Sequence, residues 1–323
     1  MILDKKKMEY FDWWQKRIET LKGYGKEAQK LYELTRTCYP AHSWTILKLA
    51  LLTYYFDIYT KIIKSRYKQA FYIDLCAGCG LNYIEETGDI VLGSALLADR
   101  IPHPNKKFDQ LFLMEQNKEY AASLMKIFQS QQNVKVLQGD SNRLITNVLS
   151  EIEEQQQAHF LAFIDPEGTE ISWQTIEILL KSRGDIIINY MCAGIKRIWG
   201  KAVEGNKKSI ENMNRFFGDD LWRKSNISDG EQLFNIYFEK VKRFKEKSMQ
   251  VMVKGPWGFH YHIIFAVRRT GGAQGWLKAI EEAKKKIEEA SHEDAEKFLQ
   301  IFSGKQKTLD SAKKGSKTLS DFL

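Results

Sequence analysis

The chain has 323 residues, of which 43% are hydrophobic and 28% are charged, and its formal net charge is +8. This length suffices for one large α/β domain with an added element, or for two small domains. Four scattered cysteines exclude a disulfide framework, no apolar stretch is long enough to cross a bilayer, and the charged first residues are unlike a signal peptide. We therefore expect a soluble, cytoplasmic protein with no membrane partner.

The beginning of the chain predicts helices. Hydrophobic residues recur at helical spacing over residues 8–36, and a second, strongly apolar helix is predicted over 43–66 with Ser43 as its N-cap. We expect residues 1–69 to pack as N-terminal helices on the core.

Strand and helix patterns then alternate over residues 70–194. Strands are predicted at 70–75, 109–115, 134–138, 159–164 and 185–190, and helices at 117–129, 142–156 and 173–181. Because parallel strands need crossover connections, this order predicts a mostly parallel, Rossmann-like sheet with right-handed crossovers.

The pattern changes in the last part of the chain. Residues 195–248, here named the basic insertion, read as helical, basic and poor in strand signals. Two β-rich runs at 249–254 and 260–268 predict an antiparallel hairpin at the sheet edge, and a charged helix follows within the segment 249–302. The lysine- and serine-rich residues 303–323 are expected to be a disordered tail.

A glycine-bearing turn follows the first predicted strand, in the sequence Y-I-D-L-C-A-G-C-G. Gly78 and Gly80 allow a close approach of the backbone to a ligand. The turn lacks the G-x-G-x-x-G pattern that binds pyrophosphate, and Asp74 before it suits the positive end of S-adenosylmethionine (SAM) better than a phosphate. Cys76 and Ala77 belong to the same turn and to the same candidate cofactor site.

Three further predicted strands end in an acid, namely Glu115, Asp140 and Asp165. Ligands of parallel sheets bind at the carboxyl ends of the strands. Glu115 is expected to accept the hydroxyls of a ribose, and Asp140 with Ser141 to contact an adenine amino group. Asp165 would face the reacting group. In the alternative reading the acids are solvated caps of an ordinary Rossmann core.

Cys76 and Cys79 form a C-x-x-C pair. No second pair and no nearby histidine completes a tetrahedral zinc site. We interpret these cysteines as small residues of the cofactor turn, in preference to metal or redox use, and expect no metal.

Positive charge is concentrated in clusters that are interleaved with aromatic residues. The clusters lie at residues 61–68, 196–208, 240–247 and after 305. Because cations can contact phosphates while bases stack on rings, DNA or RNA is a candidate partner, and Lys196 and Arg197 are candidate substrate contacts. The alternative is that the rings fill the core.

Taken in order, these motifs resemble class I SAM-dependent methyltransferases, and most closely the three-Cys-motif partner proteins. The resemblance runs from about His42 to Val267 and includes Lys48, the pair Gly93-Ser94, and the segments N-R-F-F-G and Y-H-I-I-F-A. The chain more distantly resembles enzymes that methylate the N6 of an rRNA adenine, which share the leading His and Lys, the A-G-x-G turn and the G-S pair. The resemblance implies a seven-strand sheet with a helical insertion, SAM as cofactor, and a radical-SAM-like partner that carries the three cysteines. It also implies that His42 and Lys48 contact substrate or cofactor and that Gly93 and Ser94 belong to the cofactor site.

The segment I-D-P-E-G departs from the pattern of amine methyltransferases. N6-adenine and N4-cytosine enzymes carry D/N-P-P-Y/F, in which the acid or amide and a proline carbonyl hold the amine while the ring stacks on a flipped base. Here Asp165 and Pro166 can hold an amine, but Glu167 and Gly168 supply no ring, which must come from elsewhere. The D-P-x-G form is more like that of enzymes that methylate the N2 of a tRNA guanine. We take Asp165, Pro166 and Glu167 as catalytic candidates, with the base left open.

The last eight residues, S-K-T-L-S-D-F-L, resemble the sliding-clamp-binding peptide, or PIP box, Q-x-x-h-x-x-a-a. Leu319, Phe322 and Leu323 stand at the anchor positions, and Ser316 stands where glutamine is usual. A disordered terminus with a few hydrophobic anchors suits docking on a clamp, which would make DNA the substrate, met at replication or repair. The alternative is a solubilising tail that packs back on the domain.

Two functions therefore follow from the sequence. One is a SAM-dependent nucleic-acid methyltransferase that acts on an exocyclic base amine. The other is a non-catalytic DNA-repair adaptor of methyltransferase fold that binds the sliding clamp (PCNA) and the three-Cys partner. The altered Glu167-Gly168 pair favours this second function. Affinity for SAM distinguishes them.

Overall fold

The computed structural model describes residues 2–224, 227–245, 247–254, 259–267 and 273–289, together with residues 297, 300 and 302. Within these ranges no helix combines the length and the apolarity that a membrane span requires. The predicted turn at 255–258 and the predicted tail with its anchors Leu319, Phe322 and Leu323 lie outside the described residues.

The helices and strands of the described residues alternate through most of the chain. The helices are α1 (Ile2–Gly23), α2 (Gly25–Thr35), α3 (Trp44–Ile63), α4 (Ser94–Arg100), α5 (Lys118–Ile127), α6 (Ser141–Glu153), α7 (Trp173–Lys181), α8 (Cys192–Val203), α9 (Lys207–Phe217), α10 (Leu221–Lys224), α11 (Gly230–Lys242) and α12 (Ala273–Glu288). The strands are β1 (Tyr39–Ala41), β2 (Gln69–Asp74), β3 (Leu81–Ile84), β4 (Asp89–Leu92), β5 (Gln110–Glu115), β6 (Val134–Gln138), β7 (Ala158–Ile164), β8 (Gly184–Tyr190), β9 (Lys247–Lys254) and β10 (His260–Val267).

Seven strands form one sheet in the order β6-β5-β2-β7-β8-β10-β9. The pairs from β6 to β8 are parallel, and β10 runs antiparallel to both of its neighbours. Crossover helices connect the parallel strands, as the alternating sequence pattern predicts. The mostly parallel seven-strand α/β sheet expected from the sequence is thus confirmed.

The predicted antiparallel hairpin is present, but only its first strand lies at the sheet edge. β10 is inserted between β8 and β9 and is buried along its length except at its first residue. In β9 only Val251 and Val253 are buried. The continuous apolar run of β10 suits a central strand that is covered on both faces, whereas β9 can present polar side chains to solvent.

Each face of the sheet has its own hydrophobic core. On one face, Trp14 of α1 joins a cluster that includes Ile263 and Phe265 of β10. On the other face, Ile264 packs in a cluster with Phe234 of the basic insertion. Since successive strand residues point to opposite faces, β10 binds the N-terminal helices with one set of side chains and the basic insertion with the other.

Two details of the N-terminal segment differ from the prediction. The single helix expected over 8–36 is two helices, α1 and α2, which meet at Tyr24 between two glycines that weaken helical structure. Ser43 precedes α3, but its side chain makes no capping hydrogen bond, because its backbone is already helical, whereas a cap requires an extended one.

Three short strands have no counterpart in the sequence prediction. β1, β3 and β4 form a separate small sheet, in which Ala41 pairs with Ile84 and Leu81 pairs with Leu92. Strands of three or four residues are too short to show an alternating pattern, and β1 finds its partner far along the chain. This sheet carries Tyr39 towards the carboxyl ends of the large sheet.

Gly194 allows a close approach between helix α8 and the segment that follows β7. A Cβ atom at Gly194 would lie 2.1 Å from the carbonyl oxygen of Glu167. In the same helix, a Cβ at Gly200 would meet no atom within 4 Å. Only the first of these two glycines is therefore required by packing.

We expect the two glycines to respond oppositely to substitution by alanine. Gly194→Ala should lower the free energy of unfolding by about 1–3 kcal/mol, because α8 must move away from a backbone carbonyl. Gly200→Ala should raise it by about 0.5–1 kcal/mol through the higher helix propensity of alanine. Urea denaturation of both variants measures this difference, and equal effects would show that the contact with Glu167 does not constrain the helix.

Candidate functional site

A cavity of about 640 Å³ lies at the carboxyl ends of β2, β5, β7 and β8. This volume is within the range of about 300–1,000 Å³ that is typical of small-molecule and cofactor sites. Fourteen of the residues predicted from the sequence line it, namely His42, Lys48, Cys76, Ala77, Gly78, Gly80, Gly93, Ser94, Glu115, Asp140, Ser141, Asp165, Pro166 and Glu167. The strand ends singled out in the sequence therefore meet around one space.

The turn after β2 is closed by Glu115. Gly78 and Gly80 adopt φ angles of +62° and +88°, which favour glycine. The backbone N–H of Gly78 donates to one carboxylate oxygen of Glu115 at 2.8 Å, and that of Asn117 donates to the other at 2.7 Å. Because each oxygen has a second lone pair, Glu115 can still accept hydrogen bonds from a ligand in the cavity.

Asp74 lies beneath the cavity and not in its wall. Its carboxylate is fully buried and accepts hydrogen bonds from the Tyr72 hydroxyl at 2.9 Å, the Ser94 hydroxyl at 2.7 Å and the Cys76 N–H at 3.2 Å. The sequence analysis expected this acid to face the positive end of a cofactor. The structure differs, since the side chain points into the protein, where it holds Ser94 and the turn in place.

Burial raises the pKa of Asp74 to about 7 from its ordinary value of 3.8, although the hydrogen bonds from Ser94 and Tyr72 oppose the shift. Burial, together with the nearby carboxylates of Asp74 and Asp165, also raises the pKa of the Cys76 thiol. Cys79 is buried and its Sγ donates to the carbonyl of Leu81 at 3.1 Å. A reactive thiolate is therefore not favoured in the C-x-x-C pair.

Asp140 and Ser141 begin α6 at the side of the cavity. Asp140 caps the helix by accepting from the N–H of Asn142 at 2.9 Å, and its side chain remains 39% exposed. The Ser141 hydroxyl donates to the carbonyl of Leu75 at 2.5 Å and is buried. Asp140 can thus reach a ligand, whereas Ser141 fixes the start of the helix to the turn.

Asp165 is held from both sides. Lys48 of α3 donates to one carboxylate oxygen at 2.5 Å, and Asn189 of β8 donates to the other at 2.5 Å. The side chains of Lys48 and Asp165 are only 15% and 20% exposed, so their ion pair is weakly screened by solvent. The amide oxygen of Asn189 is buried and makes no hydrogen bond within the described part of the chain.

Aromatic rings reach the cavity from outside the I-D-P-E-G segment. The hydroxyl of Tyr39 donates a hydrogen bond to Glu167. Trp44 lies against His42 with ring centroids 4.4 Å apart and against Phe259 at 4.6 Å. Tyr39, His42, Trp44 and Phe259 all line the cavity. Rings are therefore present at the cavity although the I-D-P-E-G segment itself has none.

Two predicted substrate contacts lie away from the cavity. Lys196 and Arg197 are exposed on α8 and do not line it. His42 lines the cavity but is half exposed, with Nδ1 at 3.5 Å from Glu85 and 3.3 Å from Glu86.

The lining of the cavity carries more negative than positive groups. Five carboxylates belong to it, those of Glu115, Asp140, Asp165, Glu167 and Glu170. Lys48 is the one lysine among the lining residues described, and no arginine is among them. The cavity is therefore better suited to a ligand with positive groups than to one rich in phosphate.

Sequence reasoning missed Tyr39 and Asn189. Asn189 could have been found as a polar residue near the end of a predicted apolar strand. Tyr39 offers no such signal, because its partner Glu167 lies 128 residues further along the chain.

No family model and no curated protein matches the chain. Similar solved structures include a Legionella pneumophila protein of the family DUF519, with 14% identity over 74% of this chain and 93% of that chain and a TM-score of 0.43. Others are the O-methyltransferase TomG of Streptomyces achromogenes in complex with SAM (13% identity, 68% and 81% coverage, TM-score 0.38) and an O-methyltransferase of Bacillus cereus in complex with SAH (15%, 78% and 100%, 0.37). Because these identities and TM-scores are low, we take the fold from the strand order itself. The fold is Rossmann-like, with a mostly parallel seven-strand sheet in which β10 is antiparallel to its neighbours.

We expect the buried carboxyl of Asp74 to make stability depend on pH. Because its pKa of about 7 in the folded protein exceeds its ordinary value of 3.8, the folded state binds more protons between these values. The stabilisation is therefore fully present below about pH 4 and is lost as the pH rises through about 7. Urea denaturation at pH 5 and pH 8 should show a larger loss for the wild type than for Asp74→Asn.

A second variant tests the cause of this dependence. Ser94→Ala removes a hydrogen bond that lowers the pKa of Asp74, so the loss of stability should extend to higher pH. If the wild type and Asp74→Asn showed the same change between pH 5 and pH 8, Asp74 would not be the titrating group.

Proposed function

We propose that this protein is a SAM-dependent methyltransferase that acts on an exocyclic amine of a nucleic-acid base. The observation that carries the proposal is the carboxylate-lined cavity at the carboxyl ends of the strands. The Gly78 turn with Glu115 lies in one part of its wall, and Asp165 with Pro166 lies in another.

The residues of the cavity fit SAM. Gly78 is open, since a Cβ there would meet no atom within 4 Å, and its backbone can approach a ligand. Glu115 stands at the end of the strand next to β2, where it can accept the two ribose hydroxyls. Asp140, which is partly exposed, can accept from an adenine amino group. The negative lining favours the sulfonium and ammonium groups of SAM over the phosphates of a dinucleotide.

The residues around Asp165 fit an amine substrate. SAM supplies an electrophilic methyl group that is attacked by a lone pair. The carboxylate of Asp165 and the carbonyl of Pro166 can accept the amine hydrogens, which leaves the nitrogen lone pair free to point at the methyl. Lys48 and Asn189 hold the carboxylate in one orientation, so most of the expected rate enhancement comes from positioning. The proton that the methylated amine loses can pass to Asp165.

The surroundings of the cavity suit a base and its backbone. Tyr39, Trp44 and Phe259 line the cavity and are candidates to stack on a flipped base, in place of the missing aromatic residue of the I-D-P-E-G segment. Lys196 and Arg197 are exposed on α8 and could contact phosphates outside the cavity.

Two variants separate cofactor binding from transfer. Glu115→Gln should weaken SAM binding about 10- to 100-fold, because it replaces a charged acceptor by an amide. Asp165→Asn should bind SAM almost as the wild type does, but should transfer methyl groups at least about 100-fold more slowly. Isothermal titration with SAM and transfer of a labelled methyl group to mixed DNA and RNA measure the two quantities.

Each outcome of this experiment has a clear meaning. Wild-type protein that does not bind SAM would refute the enzyme proposal. Binding without transfer to either nucleic acid would refute the proposed substrate class. An Asp165→Asn variant with full activity would remove Asp165 from the mechanism.

A second candidate is the adaptor that the sequence analysis describes. It is favoured by one observation, that both oxygens of Asp165 already accept hydrogen bonds from the protein. As an adaptor the protein would bind the sliding clamp through its terminal residues and a three-Cys partner elsewhere. A peptide ending at Leu323 should then bind a clamp, and the peptide with Phe322→Ala and Leu323→Ala should not. Equal binding of both peptides would reject this role of the tail.

A further inference from the structure

Four side chains with metal-binding atoms meet on the face of the sheet that the basic insertion covers. They are Cys192 at the start of α8, Glu231 at the start of α11, and His260 and His262 on β10. One ligand atom of each lies within 4.8 Å of the ligand atoms of the other three. This cluster brings together residues from three separate elements.

The two histidines point at the same carboxylate oxygen. Nε2 of His260 lies 2.6 Å from Oε1 of Glu231, and Nε2 of His262 lies 3.1 Å from the same atom. Because residues two apart on a strand face the same side, the sequence His-Tyr-His on β10 directs both rings to this point. A thiol, two imidazoles and a carboxylate are the ligand types that zinc prefers.

The ring of His262 is oriented as a metal ligand would be. Its Nδ1 lies 2.6 Å from the side-chain oxygen of Gln250 on β9, and that oxygen can only accept a hydrogen bond. A hydrogen on Nδ1 that is donated to this oxygen would leave the lone pair of Nε2 facing the cluster, as a metal ligand requires. The ring is fully buried and stacks on Phe234 with centroids 3.6 Å apart, so this orientation is fixed.

Within the described part of the chain, the ion pairs of Glu231 are with His260 and His262, and no lysine or arginine is among them. With Nδ1 protonated, Nε2 of His262 and the carboxylate oxygen of Glu231 face each other as two acceptors at 3.1 Å. In that tautomer, a cation bound between the two atoms would be coordinated by both of them. The thiolate sulfur of Cys192, which is buried in the same cluster, could coordinate the same cation.

We propose that Cys192, Glu231, His260 and His262 form a zinc site that fastens the basic insertion to the sheet. Four protein ligands make a closed coordination shell, which is typical of structural zinc. Gln250 acts as a positioning residue through its hydrogen bond to His262. The proposal does not depend on the proposed methyl transfer.

The position of the site gives zinc a role in the geometry of the cavity. Cys192 is the first residue of α8 and follows Met191, which lines the cavity. Two residues later, Gly194 packs against the carbonyl of Glu167. A metal bound by Cys192 therefore anchors the same helix end that supports the segment from Asp165 to Gly168.

Metal analysis and cobalt substitution of the full-length protein test the proposal. Protein expressed with added zinc and purified without a histidine tag should contain about one zinc ion per chain. After removal of metal by a chelator, added Zn²⁺ should raise the melting temperature by roughly 5 °C. Added Co²⁺ should give the absorption bands of tetrahedral cobalt together with a thiolate-to-cobalt charge-transfer band.

Matched variants identify the ligands. Cys192→Ser should abolish the charge-transfer band, whereas Cys38→Ser, at a cysteine outside the cluster, should keep it. His262→Gln should lose the stoichiometric zinc, whereas His103→Gln should retain it. Gln250→Ala should weaken zinc binding about 10- to 100-fold without altering the coordination spectrum.

The wild type by itself can overturn the proposal. Protein that contains well under one zinc ion per chain, gives no cobalt bands and shows no change in melting temperature with Zn²⁺ would mean that the cluster is held by hydrogen bonds alone. A charge-transfer band that persists in Cys192→Ser would exclude this cysteine as a ligand.

Discussion

Burial of the central strands on both faces is the constraint on which the candidate site depends. β2, β7 and β8 are covered by the N-terminal helices on one side and by the basic insertion and its neighbouring helices on the other. A polar group within such strands must find hydrogen-bond partners inside the protein, because unpaired burial is costly. Asp74 illustrates this, since three donors surround its buried carboxylate. Polar groups that are available to a ligand are therefore found where the strands end.

The cavity at these strand ends is completed by parts of the chain that lie outside the sheet core. Lys48 of α3 pairs with Asp165, and the hydroxyl of Tyr39 reaches Glu167. The N-terminal segment thus neutralises one acid and orients another. It also brings Trp44 to the cavity. A truncated core that lacked this segment would keep the acids but lose the groups that hold them.

The basic insertion supports the same segment from the opposite side. Gly194 permits α8 to contact the backbone at Glu167, and the cluster at the start of α8 ties this helix to β10. Lys196 and Arg197 are on the exposed side of the same helix. Packing, the cluster and the exposed cations are therefore arranged on one short helix.

The sequence by itself determined the seven strands of the large sheet, the glycine turn and the acids that end the strands. These features are local, since hydrophobic period, glycine content and the step from apolar to acidic residues are visible within a few positions of one another. The mostly parallel pairing of the strands followed from their alternation with helices, whereas their order across the sheet was seen only in the structure. The sequence did not show that β10 lies between β8 and β9, and it did not show the small sheet that carries Tyr39.

Only the tertiary structure decided which of the predicted acids face the cavity and what holds them. Glu115 and Asp165 line it, whereas Asp74 turns inward, although all three follow similar apolar runs. Tyr39 and Glu167 lie 128 residues apart in the chain, and Cys192 and His262, which belong to one cluster, lie 70 residues apart. Such pairs leave no periodic trace in the sequence, because their contact depends on how the sheet brings distant elements together and not on local propensity.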